Sequence, residues 1–115
     1  MRELKFRVWS EEDKEYRTDL NVFRLHDGKI ICTSPAYSLE GYRFDVEQYT
    51  ELKDKNDKEI YEGDIVSIYK GSKNFAVEQN RGRWEIGLDS LYLWQDFCEI
   101  IGNVHENPEL LEEEE

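Results

Sequence analysis

The sequence predicts a mainly β chain folded as a small barrel or sandwich of short strands. Apolar and polar residues alternate over short stretches, turn-forming residues punctuate the chain between them, and helical periodicity is nearly absent.

The elements follow in order. "LKFRVW" (4–9) sets Leu4, Phe6 and Val8 against Lys5, Arg7 and Trp9, the period of a half-buried strand, and "SEEDKE" breaks it as a polar loop. "LNVFRLHDGKIICT" reads as a hairpin, because Asp27-Gly28 readily takes the positive φ angles of a tight turn. "TSPAYSLEGY" is a loop containing Pro35 and Gly41. "YRFDVEQY" is a strand with Tyr42, Phe44 and Val46 on one face and Arg43, Asp45 and Glu47 on the other. "QYTEL" and "KEIYE" flank "KDKND", so the chain should fold back around Asn56-Asp57. Gly63 then turns it into the strand "DIVSIY". After Gly71, "FAVEQ", "RWEIGL" and "LYLW" read as strands separated by "NRGR" and "DS", and "FCEIIGNV" closes the series. Asn107 is placed as a helix N-cap with Pro108 at the first helical position. The following Glu run sits at the negative end of that helix, which should therefore be short.

A chain of 115 residues is read as one domain, 1–111, with an acidic tail, 112–115. Fifteen basic against 27 acidic residues give a net charge of -12. The segment "ENPELLEEEE" contributes six Glu, so residues 1–105 balance 15 against 21 and remain at -6. An acidic body is poorly suited to nonspecific duplex-DNA binding and to anionic lipid. Cys32 and Cys98 lie far apart and read as free thiols of a reducing compartment. The charged start has no apolar leader core, and no stretch is apolar enough to span a bilayer, so a cytoplasmic location and no membrane partner are expected.

Sharp chemistry finds little support. A calcium loop starting at Asp54 would need Gly at its sixth position and Glu at its twelfth, where Glu59 and Ile65 stand instead; Lys53, Lys55 and Lys58 would repel a cation. His26 and His105 have no nearby metal-ligand partners in sequence and are expected at the surface. No nucleophile elbow or phosphate loop is present, so no enzyme, metal or cofactor is expected. Trp84, Tyr92 and Trp94 beside Arg81 and Arg83 could stack single-stranded bases, but in so acidic a chain they are read instead as part of the core or an oligomer interface.

Three blocks carry a resemblance: "MRELKFRVWS", "QYTELKDKNDKEIYEGDIV" and "IIGNVHENPELL". Together, in this order, they resemble the YopX family of small phage and prophage proteins. Two turn positions depart from that pattern: Glu51 where "YTGL" would put Gly, and Asp57 where "KNG" would. The resemblance implies an SH3-like barrel with additional short strands and a short C-terminal helical turn. It supplies no catalytic residues. In that setting Asp64 is expected to bond nearby backbone amides as the chain enters its strand.

The expected role is a non-enzymatic interaction module of phage or prophage origin, a homo-oligomer or a binder of a host or phage protein. Its contact surfaces are placed on the 53–62 hairpin (Lys53, Lys55, Lys58, Tyr61) and the aromatic segment with its preceding arginines (Arg81, Arg83, Trp84, Tyr92, Trp94). The alternatives are a nucleic-acid-binding barrel, for which Arg81, Arg83, Lys70 and Lys73 must share a surface, and an acidic decoy of a host DNA-binding protein.

Overall fold

The computed structural model describes residues 5–35, 38–68, 73–80, 82–87 and 89–111. Its strands are β1 (Phe6–Ser10), β2 (Glu15–Arg17), β3 (Asn21–Arg24), β4 (Ile30–Thr33), β5 (Phe44–Lys53), β6 (Glu59–Tyr61), β7 (Asp64–Ile68), β8 (Lys73–Asn80), β9 (Arg83–Ile86), β10 (Asp89–Ser90) and β11 (Glu99–Asn103). One short helix, α1 (Leu91–Trp94), and a 3-10 turn at Pro108–Leu111 complete it. Antiparallel pairing builds a four-stranded sheet in the order β2-β1-β5-β6 and a five-stranded sheet in the order β10-β9-β8-β7-β11. These sheets curl into a half-barrel of SH3-like kind, and β3-β4 forms a separate ribbon.

The five-stranded sheet holds the apolar core. Val66, Ile68, Val77 and Ile86 face Leu91 of α1 and Cys98, while Ile60 of β6 closes the cluster from the other sheet. Inner strand β7 is buried at every position, as expected of a strand hydrogen-bonded on both edges and covered on both faces.

The hairpin that turns around Asn56-Asp57 is present, with Tyr49 opposite Tyr61 and Lys53 opposite Glu59. Its register shifts between these pairs. Glu51 bulges out with φ 69°, and the Thr50 hydroxyl repairs the interrupted ladder by donating to the Ile60 carbonyl and accepting from the Leu52 amide. Asp57 also has a positive φ, 65°. Both positions where the family pattern would put Gly therefore adopt the backbone region that favours Gly.

Three expectations need correction. "LYLW" is helical, because Leu91 and Trp94, three apart, both turn to the core while Tyr92 and Leu93 face out. "SEEDKE" holds the expected polar break as a tight turn, from which the chain returns as β2, a strand too short to show a period. Asn107 precedes the terminal turn, but its side chain accepts the Asn103 amide instead of capping the helix. Strict alternation also fails in β1 and β5, where Trp9 and Glu47 are buried from the face read as polar. Leu4, Tyr69 and the 112–115 tail lie outside the described residues.

Candidate functional site

The two sheets meet through charge. Arg7 of β1 donates from Nε to Glu47 Oε1 at 2.8 Å, and its Nη2 lies 2.8 Å from Asp64 Oδ1. Its guanidinium sits over the rings of Tyr16 (4.5 Å) and Tyr61 (4.9 Å), which is favourable for a planar cation. Glu47 of β5 also accepts from the Tyr16 hydroxyl at 2.9 Å, and its Oε2 faces His105 Nε2 at 2.9 Å. Trp9 stacks on His105 with centroids 4.6 Å apart and meets Tyr16 edge-on. Asp64 also receives the Tyr61 amide at 2.8 Å, bearing out its expected backbone role.

Burial pushes the Asp64 carboxyl above its ordinary value, against the downward pull of Arg7. Burial likewise raises the Tyr16 phenol, which stays protonated and able to donate to Glu47. Gly63 fits the network twice over. Its φ is 88°, and a Cβ there would run into the Glu47 carboxylate. Its amide and carbonyl bond Val77 and Val104, bringing β8 and the loop after β11 to the same point.

His105 is therefore not a surface residue: its side chain is 12% exposed and built into the inter-sheet network. His26, in contrast, is exposed as expected. Among the described residues, no buried side-chain polar atom lacks a hydrogen-bond partner. The network thus clamps the sheets with its polar groups satisfied. Beside it a groove of about 490 Å³ runs past Asp45, Glu47, Gly63, Glu78 and His105.

The hairpin docks on residues 98–100, just beyond the aromatic segment. The Lys55 amide donates to the Cys98 carbonyl, the Asn56 side chain reaches Glu99, and Asp54 accepts the Ile100 amide. Asp54 also accepts the Asn56 and Lys58 amides, so the carboxylate that opens the apparent calcium loop organises a turn and pins it to β11. Lys53 and Lys55 extend over the surface toward Asp57 and Glu99, and Lys58 is exposed. Tyr61 belongs to the clamp. Trp84 and Trp94 pack against the core, Tyr92 is exposed, and Arg83 pairs with Glu85. Arg81 and Lys70 lie outside the described residues.

Sequence reasoning missed Arg7, Trp9, Tyr16, Glu47 and His105 as one site. One signal was available. The three blocks that carry the family resemblance supply Arg7 and Trp9, then Tyr61, Gly63 and Asp64, then His105.

A half-barrel of two curled sheets locked by a buried ionic clamp defines a class of small β protein. The sequence model of the YopX protein family matches residues 5–112, and the chain belongs to that family. It is similar to the crystal structure of protein EF1440 from Enterococcus faecalis, with 29% identity and a TM-score of 0.63 over 96% of this chain and 99% of that one. It is also similar in fold to protein yopX from Bacillus subtilis, with 19% identity and a TM-score of 0.59 over 93% and 97% of the two chains. A search of curated proteins finds no match.

Proposed function

We propose that this YopX-family chain is a non-enzymatic, cytoplasmic interaction module of phage or prophage origin that self-associates through the α1 face. One observation carries the reading. Tyr92, Leu93 and Phe97, on α1 and the turn after it, are 68%, 68% and 65% exposed. Large apolar side chains grouped in one short segment are a feature of contact surfaces, whereas single exposed ones are ordinary. The hairpin tip borders them through the Lys55–Cys98 backbone bond, giving an apolar centre with the charged rim common at interfaces.

A nucleic-acid surface has less support. Lys53, Lys55 and Arg83 each have an acidic neighbour, so the described cations do not present a continuous basic stripe. Nor is there, among the described residues, a helix long and apolar enough to cross a membrane.

Sedimentation equilibrium of the chain and of a Leu93→Glu/Phe97→Glu variant tests the proposal. Self-association that disappears in the folded variant is the expected result. A wild-type monomer at high concentration would overturn the self-associating reading. Capture from host lysate of a nuclease-resistant partner would then redirect the surface to another protein, and recovery of nucleic acid would favour the alternative.

A further inference from the structure

At the outer end of the clamp, Glu11 from the β1–β2 turn, Asp45 of β5 and His105 after β11 place one ligand atom each within 4.8 Å of one another. We propose that these three side chains bind a divalent first-row transition-metal ion, with Glu47 orienting the histidine. The inference is independent of the association surface, which lies on α1.

The histidine carries the argument. Its Nε2 is taken by Glu47 Oε2 at 2.9 Å, and stacking on Trp9 fixes the ring plane. In the neutral ring with Nε2 donating to that carboxylate, the lone pair belongs to Nδ1. Asp45 Oδ2 lies 3.8 Å from Nδ1, beyond hydrogen-bond length. Metal-binding histidines commonly have this arrangement: one nitrogen toward the ion, the other held by a carboxylate that sets tautomer and orientation. Glu47 is itself fixed by Arg7 and Tyr16, so the orienting group is rigid.

The remaining donors suit an ion of this class. One imidazole with two carboxylates favours zinc and its neighbours over calcium, which prefers an all-oxygen shell. Metal bonds of about 2.0–2.2 Å put donors about 3.3 Å apart in a tetrahedral site, so Glu11 and Asp45 must close by roughly 1 Å. Both are side chains with room to move. Asp45 is 56% exposed, and the only cation paired with Glu11 in a described salt bridge is that of Lys14, itself largely exposed. Asp45 lines both the groove beside His105 and a second hollow formed with Glu11, Tyr42, Arg43 and Phe44, leaving the ion open to water.

Calorimetric titration of untagged protein with zinc chloride at pH 7.5 tests the site. Asp45→Asn and Glu11→Gln each remove one donor outside the core; His26→Ala and Cys32→Ser control for stray ligands. The expected result is one zinc per chain, at least ten-fold weaker in either donor variant and unchanged in the controls, with zinc raising the thermal midpoint of the wild type. Absence of saturable uptake at millimolar zinc, or equal binding in the donor variants, would overturn the assignment.

Discussion

Two stretches of this chain are dense in charge, and folding treats them in opposite ways. Around Glu47, residues from distant segments bury an arginine, two carboxylates and a histidine together. At the 53–58 hairpin tip, Lys53, Lys55, Asp57 and Lys58 stay in water, and only Asp54 is buried. Both regions mix cations with carboxylates. The difference is the supply of donors: Glu47 finds Arg7, Tyr16 and His105, and Asp54 finds three backbone amides. A carboxylate is buried where other parts of the chain can satisfy it, which a local reading of charge does not reveal.

The largest effect that sharpens this contrast is expected at the clamp. Glu47→Ala strands the Arg7 cation beside the Asp64 carboxylate alone and should cost about 3–5 kcal/mol in urea unfolding. Asp54→Ala frees three amides, two in the turn and one on β11, and should cost about 2 kcal/mol with a frayed tip visible in hydrogen exchange. Glu51→Gly should act in the other direction, raising stability by about 1 kcal/mol, because Glu51 occupies a left-handed backbone region at the bulge. Asp57→Gly should gain less, since Asp tolerates that region better. Smallest of all, Lys53→Ala and Lys55→Ala should each change stability by less than about 0.5 kcal/mol. A large loss from either lysine would show that the exposed tip is not the solvated region its geometry describes.

Much of the fold was legible because its signals are local. The hairpin turns around Asp27-Gly28 and Asn56-Asp57, the Gly63 entry into β7 and the Asp64 backbone bond each rest on neighbouring residues. The helix at 91–94 was not, because four residues with apolar positions at one, three and four fit a strand period as well as a helical one. The clamp was hidden for a different reason. Arg7 and Glu47 occupy positions that alternation assigns to solvent, and only the pairing of β1 with β5 across the chain places them together. His105 follows a strand in a polar loop, so nothing nearby announced its aromatic and acidic neighbours. The recurrence of the three family blocks at one point in space was the trace of the site, visible as a pattern before its chemistry was known.

The clamp also bears on the order in which the chain acquires its structure. Glu47 draws its partners from 31, 40 and 58 residues away in sequence. The Arg7 and Tyr16 bonds need β5 to pair with β1, the His105 bond needs the final loop as well, and such long closures are slow to form. If the carboxylate is satisfied only after the rate-limiting step, the cost of Glu47→Ala appears mainly in the unfolding arm of a chevron; a loss in the folding arm instead would place the clamp in the transition state. In the first case the clamp sets how long the folded molecule lasts more than how quickly it forms.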